Sequence, residues 1–234
     1  MSISLAIYCE DDGGVCDAKR ILASYSSYFA HVIVLINMES PPSFGPSELD
    51  NNTSILDLKG KISQGAALNK MLPHIATSKV LLIDARASLH NGVVAFVHRI
   101  NSEINIQSPY LVGFQLSITA GSSEKSWKHD LSLVDTLPWC GLFFDPVFLL
   151  NLGGFEDQLS HKAMMIDLCI RAQILSAIIF QSDLCLSNLG QEPSKNEMAY
   201  IQQQYPFLYP NVFQRFLSML KRKDKKTALN PLLN

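Results

Sequence analysis

The chain has 234 residues, 47% of them apolar, enough for the core of one large α/β domain or of one domain with a tail. With 19 Lys and Arg against 21 Asp and Glu the net charge is −2, which excludes a general nucleic-acid binder, because phosphate neutralisation needs a basic face. The charged fraction, 17%, falls below the roughly 25% usual for soluble domains and points to a partner surface.

The five cysteines, Cys9, Cys16, Cys140, Cys169 and Cys185, are odd in number and scattered, with no C-x-x-C pair, which argues against a zinc site. Most sit among apolar residues, as reduced thiols in a cytoplasmic protein do. The N-terminal "MSISLAIYCEDD" has no basic lead and is soon followed by acids, so it is expected to be a first strand rather than a signal peptide. No apolar run approaches the ~20 residues of a bilayer span.

In chain order, "ISLAIYC" predicts a strand, and residues 15–29 carry Val15, Ala18, Ile21, Leu22 and Tyr25 at helical spacing. "HVIVLI" is β-branched and wholly apolar, as a strand buried on both faces should be. Residues 37–52 have loop composition. A helix follows through Ile62, Ala66, Leu68, Met71, Leu72 and Ile75, with Pro73 expected to shorten it. "KVLLID" is a third buried strand, and residues 90–104 predict another helix. Strands alternating with crossover helices give a mostly parallel sheet covered by helices on both faces, with ligands collecting at the carboxyl ends of the strands. Asp84 stands at such an end.

The second half begins with a strand in "PYLVGFQLSI" and a polar loop over 121–128. "LPWCGLFFDPVFLLNLGGFEDQL" places a strand, a short helix and a glycine turn close together. A helix in "SHKAMMIDLCIRAQIL" and a strand in "SAIIFQSDLCLSN" follow. Residues 208–222 predict an amphipathic helix with Phe213, Phe216, Leu217 and Leu220 on one face and a cluster of Lys and Arg at its end, a pattern able to lie on an anionic membrane surface. The expected organisation is a domain over 1–205 and this helix with a basic tail over 206–234.

The stretch "ISQGAALNKMLPHIATSKVLLIDARASLHNG" resembles the segment of the family-2 glycosyltransferases that leads into their D-x-D motif, with Gly65, Asn69 and Asp84 in register. "LGGFEDQLSHKAMMIDLCIRAQILSAIIF" resembles that family's second signature through Gly153, Gly154, Phe155, Glu156, Asp157, Asp167, Leu168 and Arg171. The resemblance implies a GT-A fold, a nucleoside-diphosphate sugar as partner, and a divalent cation on D-x-D that offsets diphosphate charge. It also implies a carboxylate on the later helix as general base.

The chemical positions depart from that pattern. Asn37 follows the second strand where the family has an acid that recognises the base or ribose. Arg86 replaces the second acid of D-x-D, Met164 and Met165 replace the acidic pair, and Asn188 stands where a metal-joining histidine is common. The expected cofactor is therefore none, or at most a weakly held manganese or magnesium ion.

Candidate substrate-binding residues are Asp84, Arg86 as a bidentate phosphate fork, Trp139 as a sugar platform, and Glu156. Asp157, on the glycine turn, is the candidate catalytic base, ahead of Glu156, His161 and Asp167. Asp167 and Arg171 are expected to form a structural pair; Met164 and Met165 read most simply as core by their helical stripes, and if the pair borders a vacated cleft, Met165 is the one expected to face it. Two functions stay open: a nucleotide-sugar-dependent glycosyltransferase with little or no metal dependence, and an inactive pseudo-glycosyltransferase that binds or scaffolds a protein partner.

Overall fold

The computed structural model describes residues 2–87, 89, 91–103, 109–117, 131–133, 137, 141–187 and 193–205. The chain divides into two compact units, Met1–Pro193 and Ser194–Asn234. The described part of the second unit holds one helix, α6 (Lys195–Gln204), opened by a capping box between Ser194 and Glu197. The amphipathic stretch 208–222 and the loop at 121–128 lie outside the described residues.

The first unit is built on an eight-stranded sheet of β1 (Ile3–Cys9), β2 (His31–Ile36), β3 (Thr53–Asp57), β4 (Lys79–Asp84), β5 (Tyr110–Ser117), β6 (Leu131–Leu133), β7 (Gly141–Phe144) and β8 (Ile178–Ser187). Their spatial order is β3-β2-β1-β4-β7-β5-β8-β6. The first four run parallel, and β5 runs parallel to β8. Antiparallel β7 is inserted between β4 and β5, and β6 adds an antiparallel edge to β8.

β1, β2 and β4 are buried over nearly their full length, which explains why their sequences are continuous apolar runs rather than alternating ones. One face of the sheet offers Leu5, Ile7, Val32, Val34, Leu81, Ile83, Val112 and Phe143 to α1 (Asp12–Tyr25) and α3 (Asn91–Glu103), with Phe96 of α3 edge-on to Phe114. Alternate residues such as Ala6, Ile33, Leu35 and Leu82 are equally buried on the other face. That face is served by α2 (Gln64–Met71) and α5 (His161–Ile174), which bury Leu68, Met71, Leu168 and Ala172. A short α4 (Pro146–Asn151), capped by Asp145, links β7 to the glycine turn.

Pro73 acts as expected: α2 ends at Met71 and the chain tightens into one 3-10 turn over Leu72–His74. Residues 37–52 are indeed irregular except for a 3-10 turn at Pro46–Glu48. β3 directly follows them as an edge strand that the apolar pattern does not announce. Gly13 and Gly14 lie in the first turn of α1, where Asp11 caps the helix by accepting the Gly14 N–H at 2.7 Å. Among the described residues no helix is long and apolar enough to cross a membrane.

Candidate functional site

Parallel pairing of β1 with β4 sets Tyr8 opposite Asp84, so the two strands end side by side. The chain leaves β1 through Glu10 and Asp11 and leaves β4 through Ala85 and Arg86. Four charged groups therefore meet at one sheet end although up to 76 residues separate them.

Arg86 is their centre. Its Nη2 donates to Glu10 Oε1 at 2.7 Å and to Asp84 Oδ2 at 3.3 Å, and its Nε donates to Asp84 Oδ1 at 3.2 Å. Its Nη1 lies 3.5 Å from Asp11 Oδ2. The backbone N–H of Arg86 also reaches Asp84 Oδ1, at 2.9 Å. Hydrogen bonding to Asp84 is the largest influence on the already high guanidinium pKa and pushes it up further; burial, next in size, opposes this, and the charges of Asp84, Glu10 and Asp11 add to the rise. One cation among three carboxylates leaves a formal charge of −2.

Beside this group the β2 end is closed. Asn37 is fully buried; its Nδ2 donates to Tyr8 Oη and to the Ile62 carbonyl, both at 2.9 Å, and its Oδ1 accepts the Ile62 N–H. Burial, the leading cause, pushes the Tyr8 phenol well up despite the Asn37 hydrogen bond, so it stays protonated. The polar atoms of Asn37 thus join β2 to the segment before α2.

The glycine turn is held by a second set of contacts. Gly65 in α2 lies so close to the turn that a Cβ there would stand 2.8 Å from Asp157 Cα and overlap the Glu156 carbonyl. Asn69, one helical turn later, brackets the Phe155 backbone: Nδ2 donates to its carbonyl and Oδ1 accepts its N–H, both at 2.7 Å. Gly153 and Gly154 adopt φ of 90° and 76°, the left-handed region open to glycine. From α5, Arg171 donates through Nη1 to the carbonyls of Leu152 and Gly154 at 2.6 and 2.8 Å, while Asp167 Oδ2 accepts from its Nε and Nη2. Asp167 and Arg171 are the structural pair that their spacing predicts.

The expected site residues divide accordingly. Asp84 and Arg86 meet, together with Glu10 and Asp11, which the motif reading did not include. Asp157 is exposed on the turn, and half-buried Glu156 accepts the Gln158 N–H at 3.3 Å. Trp139 and Asn188 lie outside the described residues. Met164 is fully buried as expected, but so is Met165: the base position opens onto packed core, not onto a cleft. Both lie in α5, whose Ala163–Cys169 run is buried throughout.

His161, at the start of α5, is close enough to feel the charges of Glu10, Asp84 and Arg86, and burial lowers its pKa below the ordinary histidine value. Among the nearby thiols, burial pushes Cys9 well up and Cys169 up to about 12, so neither supplies a thiolate nucleophile.

A divalent cation, which this kind of fold implies, does not fit the residues at this strand end. Both Asp84 oxygens accept from Arg86, and its side chain is only 2% exposed, leaving no room for the water that manganese or magnesium retains. Among the described residues no three His, Cys, Asp or Glu side chains are arranged to hold a metal ion.

No family model and no curated protein sequence matches the chain. Solved structures do. A mannosyltransferase, PcManGT from Pyrobaculum calidifontis in complex with GDP-Man and Mn2+, superposes with a TM-score of 0.58 at 12% identity, over 85% of this chain and 59% of its own. S. aureus TarS superposes with a TM-score of 0.59 at 14% identity, over 90% of this chain and 40% of its own. TarS 1–349 in complex with UDP-GlcNAc gives 0.58 at 13% identity, over 90% and 68%. The chain thus spans about 59% of the mannosyltransferase and 40% of TarS. The parallel half-sheet, the inserted antiparallel β7 and these superpositions give the same result: the fold is GT-A, the mixed α/β fold of nucleotide-sugar glycosyltransferases.

Proposed function

We propose that this chain is a glycosyltransferase-like protein that uses the GT-A fold as a binding module and does not run metal-assisted sugar transfer. The observation that carries this reading is the state of Arg86, whose guanidinium is taken up by Asp84, Glu10 and Asp11 at the strand end. A diphosphate arriving there without metal meets a group of formal charge −2, which repels it. Two further positions support the same reading. Asn37 spends its polar atoms on Tyr8 and Ile62, and Met165 is packed where a catalytic carboxylate would stand. The low charged fraction supports a protein partner.

A metal-independent transferase is a second reading, favoured by two observations. Asp157 is exposed on the turn, and His161, one helical turn before Met165, is held towards its neutral form beside the strand end, where it could accept a proton.

One experiment separates them: calorimetry and donor-turnover assays with nucleoside-diphosphate sugars, with and without manganese. The binding module is expected to release no sugar from any donor and to show no manganese-dependent nucleotide binding. Metal-free turnover that disappears in Asp157→Asn or His161→Asn would install the second reading. Manganese-dependent turnover lost in Asp84→Asn would overturn both.

A further inference from the structure

We propose that Arg86 is the resident cation of this strand end, and that it shuts divalent ions out of a carboxylate group that would otherwise hold one. The inference deepens the reading above and rests on the same site, but it concerns the metal alone.

Three carboxylates converge from two chain segments: Glu10 and Asp11 from the β1–α1 connection, and Asp84 from the end of β4. Asp84 is buried and Glu10 is 21% exposed, so neither is freely solvated. Like charges this close disfavour one another's ionisation unless a cation lies between them. The guanidinium meets that need with a planar set of donors: Nε and Nη2 serve Asp84, Nη2 serves Glu10, and Nη1 faces Asp11. A lysine could offer only a point charge, whereas arginine addresses three acceptors from different directions.

The same geometry excludes a metal ion. Carboxylate oxygens sit 2.7–3.5 Å from the guanidinium nitrogens. Manganese and magnesium need oxygens at about 2.0–2.2 Å, so the group would have to contract onto the ion. With Arg86 between the acids it cannot. The arginine competes as an intramolecular ligand, at an effective concentration far above that of a trace metal.

The probe is manganese alone, followed by calorimetry and by thermal shift of the intact chain. The parent is expected to show no saturable binding. Arg86→Ala should gain a saturable site, at least about tenfold tighter than any binding by the parent, a difference of ~1.4 kcal/mol. The gain should vanish in Arg86→Ala combined with Asp84→Asn. Arg86→Lys, which keeps the charge, should stay silent. Arg86→Gln repeats the test should the alanine variant fail to fold, with circular dichroism as the control. Manganese binding by the parent that Asp84→Asn abolishes, a folded neutral variant with no gain, or an equal gain in Arg86→Lys would each overturn the inference. Metal-free sugar turnover by the parent would end the binding-module reading without touching this one, and a missing metal gain would do the reverse.

Discussion

The glycine turn and the strand end lie on the same sheet unit, and both carry residues that resemble one family's signatures, yet they differ in what their side chains touch. At the turn, Gly65, Asn69 and Arg171 have backbone atoms as partners: the Glu156–Asp157 peptide, the Phe155 amide and carbonyl, and the Leu152 and Gly154 carbonyls. At the strand end, Asp84, Arg86 and Asn37 are the positions where the family resemblance would place contacts to a bound metal or nucleotide, and there the chain supplies partners of its own. Backbone partners are dictated by the fold and persist whatever the protein does. Motif residues whose contacts are with the backbone of the turn therefore report architecture, whatever chemistry the strand end carries.

The sharpest way to break this comparison is to restore acids at the methionine pair. Met164 and Met165 are fully buried. Burial raises the pKa of a carboxylate by about 3–5 units, so the new carboxyl in Met165→Asp takes up a proton on folding, and its pH-dependent cost at pH 7 is at most about 4 kcal/mol, ~1.36 kcal/mol for each of the roughly 3 units between 3.9 and 7. Adding Met164→Glu should deepen the loss. The deficit should shrink as pH falls towards the ordinary carboxylate range, where the protonated form is accepted. Denaturant unfolding across pH checks this. A double variant as stable as the parent would mean that the base position opens to water and that the strand end keeps a cleft.

The fold was legible wherever burial was two-sided. β1, β2 and β4 are continuous apolar runs because helices cover both faces, and the α5 motif with its Asp167–Arg171 spacing announces a helical ion pair. β3 was not legible, since its five residues are only partly buried at an edge and follow a loop rich in Pro and Ser. The site was legible by halves. Asp84 and Arg86 lie in a recognisable stretch, whereas Glu10 and Asp11 enter only through the register that sets Tyr8 opposite Asp84. The available signal was the acidic run "EDD" directly after the first apolar strand, since adjacent parallel strands bring their ends together. Met165 was misread because helical spacing alone does not tell how many sides of a helix are covered; α5 is buried from Ala163 to Cys169 without a break.

The turn offers a second, smaller test. Gly65→Ala forces a Cβ against the Asp157 backbone, and overpacking of this kind costs about 1–3 kcal/mol. Asn69→Ala leaves the Phe155 N–H and carbonyl without their bracket and should cost a similar amount, about 1–3 kcal/mol. Both losses should appear in denaturant midpoints. Neither should change the manganese silence expected of the parent, because neither residue touches the charged group. A metal response in either variant would show that the two regions are coupled and that their separation into architecture and chemistry is wrong.

The smallest effect belongs to His161, whose ring lies at the start of α5 and is influenced by Glu10, Asp84 and Arg86 at the strand end. Burial, the largest influence, lowers its pKa below 6.5; the two acids oppose that shift and Arg86 reinforces it. The folded chain therefore binds fewer protons at this ring than the unfolded chain does over the window just below the ordinary histidine pKa. Stability attached to the neutral ring is present above that pKa and is lost as pH falls through the folded value. His161→Gln keeps a polar group of similar reach and removes the titration, so its stability should fall less steeply than the parent's between about pH 6.5 and pH 5. Urea midpoints at matched ionic strength across that range read the difference. If Glu10 and Asp84 outweighed burial, the ring would be charged in the folded state and the parent would gain stability on acidification relative to the variant. That slope would mean that the strand end holds histidine as a second cation beside Arg86, and its charge would then be nearer neutral than the three carboxylates and one guanidinium imply.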